Sequence, residues 1–287
     1  MKERRHPNYP GTLSTSPSVV EAARPSGEIN ARARALEVLL EAGVPFVVGG
    51  AYAFCQYTGI FRDTKDLDLF PRRGDALRAL EVLAHDGWVT ERTDEVWLYK
   101  AFKGEWFVDL IFSSGNGVAD VDDEWFLHAR RRKVMGQRVL IAPPEELIWS
   151  KAFVLERERY DGADVIHLIK SAGRAFDWPR LLRRFERHWE VLLSHLLLFR
   201  FSFPSERTVV PQWVMEELLE RTRGTVREGN WERRVCRGSL ISKVNFSLDI
   251  GEWGYEDGRR WEEEERSREA QRHGSTTGIE AANSGGR

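Results

Sequence analysis

The sequence predicts an α/β body followed by a helical C-terminal part. Three observations carry this. Short apolar or alternating runs are interleaved with amphipathic helical stretches from about residue 28 to 170. Two pairs of strand-like runs are joined at tight glycine turns. Beyond about residue 175 the apolar residues recur almost entirely at helical spacing.

The elements follow in order. "SGEINARARALEVLLEAG" reads as a helix with Ser26 at its start, an apolar stripe of Leu36, Leu39 and Leu40, and Gly43 just past its end. "VPFVVGG" is a short buried strand that ends in glycines, and "AYAFCQY" begins a helix directly after Gly50. "KDLDLF" alternates, with Leu67 and Leu69 on one face and Asp66 and Asp68 on the other. "GDALRALEVLAHDG" is an amphipathic helix with a glycine stop. "EVWLYKAF" and "EWFVDLIF" form a hairpin through Lys103-Gly104, and "RRKVMGQRVLIAP" forms another through Met135-Gly136-Gln137. "PPEELIWSKAFVLERERYDGADVIHLIKSAG" reads as helical with a break at Gly162; "WPRLLRRFERHWEVLLSHLLLF" and "PQWVMEELLERT" are further helices.

Residues 1–27 are rich in Pro, Ser and charge and lack periodicity, which predicts a disordered tail; residues 261–287 read the same way. The ordered body then divides into 28–170 and a helical C-terminal domain over 171–260.

A chain of 287 residues with net charge -2 has no global basic field to draw in nucleic acid. Cys55 and Cys236 make neither a disulfide framework nor a metal knuckle, and two unpaired thiols suit a reducing cytoplasm. The N-terminal "MKERRHPNYPGTLSTSPS" has no apolar core of a signal peptide. The most apolar stretch, 191–203, is too short for a bilayer and carries His195 and Arg200, so no membrane partner is expected.

The chemistry concentrates in "GGAYAFCQYTGIFRDTKDLDLF", residues 49–70. Carboxylates within an apolar strand are costly unless they are paired or bind a cation. Asp66 and Asp68 project from one face, about 7 Å apart along the strand, and such a pair can share two Mg²⁺ ions about 3.5–4 Å apart. A third ligand is available from Asp109 in the apolar run "WFVDLIF". The competing account places these aspartates on the wet face of an edge strand. Gly49 and Gly50, between a strand and a helix start, argue against it, because such a turn offers backbone N–H groups to a phosphate.

These residues resemble the DNA polymerase beta-like nucleotidyltransferase superfamily: an apolar strand ending in Gly-Gly, a short helix, an Arg-x-Thr-x-Asp-x-Asp run matched by Arg62, Thr64, Asp66 and Asp68, and a later strand aspartate, Asp109. The likeness is greatest to the small bacterial nucleotidyltransferases of the minimal and abortive-infection toxin types and spans about residues 30–170. It implies a mixed sheet, two Mg²⁺ ions held by Asp66, Asp68 and Asp109, and transfer of an NMP from an NTP to a hydroxyl of RNA, protein or a small molecule. Asp109 would also help deprotonate the acceptor. Gly49, Gly50, Arg62, Thr64 and, on a later helix, Lys151 would hold the nucleotide. The toxin likeness implies an antitoxin-like partner protein, and the alternative reading is a non-catalytic nucleotide-binding or antitoxin-like protein on the same fold.

Other charged runs are less specific. Arg157, Arg159, Asp161 and Asp164 read as a surface network, while the resemblance implies a structural or nucleotide-facing role for Asp161 and Asp164. Arg180, Arg183, Arg184 and Arg187 fall near one helical face, and "HARRRK" forms a second basic cluster; both would suit RNA, or be solvated faces.

Overall fold

A computed structural model describes residues 26–61, 64, 66–228 and 233–268. Helix α1 (Ser26–Glu41) leads through Gly43, at φ 62°, to strand β1 (Val47–Val48). Helix α2 (Gly50–Thr58), β2 (Asp66–Phe70) and α3 (Arg73–His85) follow. Leu36 and Leu39 of α1 are fully buried, whereas Leu40 turns 40% of its surface to solvent, so the expected stripe is narrower.

Strand β3 (Val89–Asp94) has no counterpart in the sequence reading, because "VTERTD" is mostly polar and lies at a sheet edge. Strands β4 (Leu98–Lys103) and β5 (Trp106–Ile111) form the first expected hairpin, with Gly104 at φ 66°. A short helix α4 (Asp123–Leu127) precedes the second hairpin, β6 (Arg130–Val134) and β7 (Gln137–Ile141). Its two turn residues, Met135 (φ 47°) and Gly136 (φ 84°), both lie in the left-handed region, which suits the twist of a tight hairpin.

The seven strands form one mixed sheet in the order β3-β4-β5-β2-β1-β7-β6. Strand β2 pairs parallel with β5 and antiparallel with β1, and β1 pairs parallel with β7. This is the α+β architecture that the sequence predicts. Leu67, Leu69, Val108 and Leu110 are fully buried on one face, and α1 and α3 pack across that part of the sheet. Alternation sends Asp66, Asp68 and Asp109 to the other face.

Helices α5 (Pro144–Lys151) and α6 (Gly162–Ala172) are separate. The expected break at Gly162 is a full loop over 152–161, closed by a bridge between Leu155 and Tyr160, and Gly162 opens the next helix. "VLERERY" has no apolar stripe to hold a helix against the core. Helices α7 (Trp178–Phe185), α8 (Trp189–Ser202) and α9 (Gln212–Glu228) supply the helical part. Then come β8 (Val235–Cys236), α10 (Ser247–Gly251), β9 (Glu256–Asp257) and a last helix, α11, over 258–268.

Two expectations need correction. The C-terminal tail does not begin at 261: residues 261–268 belong to α11, and Glu262, 3% exposed, accepts a 2.7 Å hydrogen bond from His188 Nε2. The N-terminal tail does not reach 27 either, since Ser26 and Gly27 begin α1; residues 1–25 and 269–287 lie outside the described residues. The Arg180–Arg187 run is not a free basic face. Arg180, 3% exposed, pairs with Glu145 (2.7 Å) and Glu146 (2.5 Å). Arg184 pairs with Asp122 (2.5 Å) and Glu146 (3.1 Å), and Arg187 lies 3.6 Å from Glu262. The 128–133 cluster does lie open, with Arg130, Arg131, Arg132 and Lys133 exposed on edge strand β6, where charge also discourages edge-to-edge pairing.

Candidate active site

Strand register builds the site. In the parallel β2–β5 pair Asp68 lies opposite Asp109, and Asp66 lies two residues before Asp68 on the same face. One carboxylate oxygen from each of Asp66, Asp68 and Asp109 lies within 4.8 Å of the others. Asp66 and Asp68 are half-buried, and Asp109 is 7% exposed.

The two glycines make room for this cluster. Gly50 has φ 52°, and a Cβ there would overlap the Asp68 carboxylate. A Cβ on Gly49 would overlap the Phe70 ring. The Gly49 N–H donates to the Asp68 carbonyl at 3.0 Å, so α2 starts directly against the carboxylate strand. Thr64 donates its hydroxyl to Asp66. Its carbonyl accepts from Arg32 at 3.2 Å, and Arg32, fully buried on α1, also donates to Tyr52 Oη at 3.1 Å. Arg62 lies outside the described residues.

Three oxygen donors with no nitrogen or sulfur fit Mg²⁺ or a similar hard cation. The electrostatics agree with that fit. Burial, then the charges of Asp66 and Asp109, push the Asp68 carboxyl up to about 7, against the pull of Lys151 and Arg159. Burial also raises Asp109, opposed by Lys100. Among the described residues the cations near the site do not bring the Asp68 carboxyl back to its ordinary value.

Lys151 reaches this region from the end of α5 and makes contacts of 3.0 Å to both Asp161 and Asp164. Burial pulls its ammonium down, but the two carboxylates outweigh that and hold it above the ordinary lysine value. Arg159 is also held by Asp161, at 3.2 Å, yet 71% of its side chain is exposed and it is close enough to interact with Asp66 and Asp68. The sequence presents it only as part of a charged surface network. Lys100 was not singled out at all, although its ammonium lies 2.7 Å from Asp109 Oδ1. The hairpin could have revealed it: a two-residue turn at 104–105 pairs Lys103 with Trp106 and, three residues further in, Lys100 with Asp109.

The C-terminal segment closes on two loops that flank the carboxylates. Asn116, in the loop after β5, donates to the Leu240 carbonyl at 2.6 Å. The Leu155 N–H donates to the Ile241 carbonyl at 3.2 Å, and Ser242 donates to Glu156 at 2.5 Å. The Glu156 N–H in turn donates to the Arg159 carbonyl at 2.8 Å, so these contacts fix the loop that presents Arg159.

The chain matches, over residues 24–200, the family described as uncharacterised nucleotidyltransferase. The match covers more than half of its length, and the chain belongs to that family. Among solved structures it is similar to the antibiotic-resistance factor ANT(2'')-Ia (14% identity, 60% of this chain and 98% of that one, TM-score 0.41). It is also similar to the lincosamide antibiotic adenylyltransferase LnuA in its lincomycin-bound form (13% identity, 50% and 96%, TM-score 0.36). A third likeness is to the Megavirus polyadenylate synthase (13% identity, 61% and 42%, TM-score 0.37). At this distance nothing about their substrates transfers to this chain. No curated protein sequence matches it.

Proposed function

We propose that the chain is a Mg²⁺-dependent nucleotidyltransferase that moves an NMP from an NTP to a hydroxyl acceptor. The observation that carries this is the convergence of Asp66, Asp68 and Asp109 within 4.8 Å beside the Gly49-Gly50 turn, in a chain of a nucleotidyltransferase family. Asp66 and Asp68 would hold both cations of a pair, and Asp109 would hold the acceptor-side one. Bound divalent cations would neutralise charge developing on the α-phosphate and on the attacking and leaving oxygens. The chain's own residues do the rest. The Gly49-Gly50 turn and the start of α2 offer backbone N–H groups to the triphosphate. Thr64 orients Asp66 by its hydrogen bond. Arg159, mostly exposed above the carboxylates, supplies positive charge to the outer phosphates. Lys151 is committed to Asp161 and Asp164, so its support for the nucleotide acts in company with that pair. Asp109 accepts the acceptor hydroxyl's proton.

The helical part from about residue 171 and the segment to 268 form the acceptor side in this reading. Since Arg180 and Arg184 are used in internal ion pairs, the case for an RNA acceptor is reduced to the exposed strand β6. Among the described residues no helix is long and apolar enough to cross a membrane. Neither Cys55 nor Cys236 is in a disulfide, which suits the reducing cytoplasm.

The test is transfer of label from α-labelled NTPs, offered one at a time with Mg²⁺, to RNA, protein and small-molecule fractions of a cell extract. Label incorporated by the wild type and lost in Asp68→Asn supports the reading. An absence of NTP binding at millimolar Mg²⁺ overturns it.

A further inference from the structure

Asp109 has a neighbour on each side across the sheet. Strand register places Lys100, Asp109 and Asp68 in one row on β4, β5 and β2, all on the same face. On one side Asp109 meets the Lys100 ammonium at 2.7 Å; on the other it meets the carboxylate cluster. The lysine stem is held in place, with its amine 4.9 Å above the Phe107 ring, and its side chain is only 23% exposed. Among the described residues, Lys100 is the only cation hydrogen-bonded to a carboxylate of the cluster. Lys151 is bound to Asp161 and Asp164 instead.

We propose that Lys100 is a built-in cation that occupies Asp109 and makes loading of the two metal positions unequal. The Asp66–Asp68 side is open to a divalent ion in the free protein. A second ion that uses Asp109 must share its carboxylate with the ammonium on Oδ1 or displace it. The free protein therefore takes one divalent cation readily. The second enters only when another ligand, such as a triphosphate, adds oxygens that offset the loss of the Lys100 pair. This inference rests on the reading of Asp66, Asp68 and Asp109 as metal ligands. It adds an order of binding in which the acceptor-side position is filled last, so the nucleotide is in place before the acceptor can be activated. Lys100 is a positioning residue in this scheme, since it acts through Asp109.

The physical argument is competition for one carboxylate. A charge-assisted hydrogen bond is among the stronger pairs available to a carboxylate, and a divalent ion on the same carboxylate meets the repulsion of the ammonium beside it or must displace it. Removing the ammonium removes that opposition and leaves Asp109 next to further negative charge, which raises its demand for a cation.

The experiment is Mn²⁺ binding to the full chain without nucleotide, followed by electron paramagnetic resonance of the free ion. Wild type should bind one Mn²⁺ in the first phase, with a second much weaker. Lys100→Met should strengthen that second site by about tenfold or more, the scale of one hydrogen bond to a charged group. Lys100→Arg, which keeps the charge, should behave like wild type. The gain should vanish when Lys100→Met is combined with Asp109→Asn. Should Lys100→Met fail to fold, as judged by circular dichroism, Lys100→Gln serves in its place. Equal second-site affinity in wild type and Lys100→Met overturns the proposal while leaving the metal site intact. Mn²⁺ binding that is unaffected by Asp68→Asn overturns the underlying metal reading instead.

Discussion

Two groups of charged side chains are partly withdrawn from water in this chain. Between α5 and α7, Arg180 spans Glu145 and Glu146, and Arg184 spans Glu146 and Asp122 at 2.5–3.1 Å. Across β2 and β5, among the described residues, one ammonium, that of Lys100 on Asp109, is hydrogen-bonded within a cluster of three carboxylates. The first group matches its acids with guanidinium groups and ties helices together. The second carries a surplus of one sign at the edge of the core, and burial, with the charges of Asp66 and Asp109 added to it, pushes its Asp68 carboxyl up to about 7. Neutralised buried charge fits a structural role, because each member depends on the others. Surplus charge, kept in place by a rigid strand pair, fits a ligand of opposite sign.

The sharpest break of this comparison is removal of a surplus carboxylate. Asp66→Asn and Asp68→Asn should each lower nucleotidyl transfer by more than about 10³-fold, equivalent to about 4 kcal/mol of transition-state stabilisation. Circular dichroism should stay the same as in the wild type. Transfer assays with α-labelled NTP at saturating Mg²⁺ provide the check, and retained turnover in either variant would sink the assignment.

The balanced group should respond in the opposite way. Arg180→Met leaves Glu145 and Glu146 without their principal partner, and breaking a buried pair from one side costs about 3–5 kcal/mol. Urea unfolding should show this loss, while the Michaelis constant for NTP in the molecules that remain folded should not change. If Arg180→Met altered nucleotide affinity but not stability, the two groups would have been sorted wrongly.

The sequence conveyed the two groups unequally. Asp66 and Asp68 alternate with Leu67 and Leu69, so period two alone puts them on one face, and Asp109 stands out within "WFVDLIF" for the same reason. The hairpin turn at Gly104 was legible because glycine there takes φ 66°. The Arg180–Glu146 pair was not legible. Its members lie 34 residues apart on different helices, and "RLLRRFER" has the pattern of a solvated basic face. Only the packing of α7 on α5 turns that face inward. Strand β3 and helix α11 were missed for a related reason, since neither has an apolar stripe and both take their order from neighbours.

A third variant tests a residue between the two groups in character. Arg159 is paired with Asp161 like a structural arginine, yet 71% of its side chain is exposed beside the surplus carboxylates. Arg159→Ala should raise the Michaelis constant for NTP by about tenfold, the value of one hydrogen bond to a charged group, and should leave the urea midpoint nearly unmoved. Steady-state kinetics against NTP concentration separates this from a purely structural pair, which would shift the midpoint and spare the Michaelis constant.

The smallest expected effect has the most informative sign. The Asp68 carboxyl stands at about 7 in the metal-free folded chain, above the ordinary value of 3.8. Between these values the folded state holds a proton that the unfolded state has released. Stability therefore falls as pH rises through that window and is flat above it. The full rise would set an upper limit of about 4 kcal/mol. The side chain keeps partial contact with water, which reduces the expected penalty to about 1–2 kcal/mol. Asp68→Asn removes the ionisable group, so the metal-free variant should be more stable than the wild type at pH 8 by that amount, and the two should converge near pH 4. Saturating Mg²⁺ should reverse the order at pH 8, because an ion that binds only the folded wild type stabilises it by mass action. Arg180→Met keeps all three carboxylates, so it should lie below the wild type at both pH values with no crossover and should gain as much from Mg²⁺ as the wild type does. Thermal unfolding of the three chains at pH 4 and pH 8, with Mg²⁺ and with a chelator, distinguishes the outcomes. A wild type that is more stable than Asp68→Asn at pH 8 in chelator would mean that the carboxylate cluster is already neutralised by its own cations, and the contrast between the two groups would disappear.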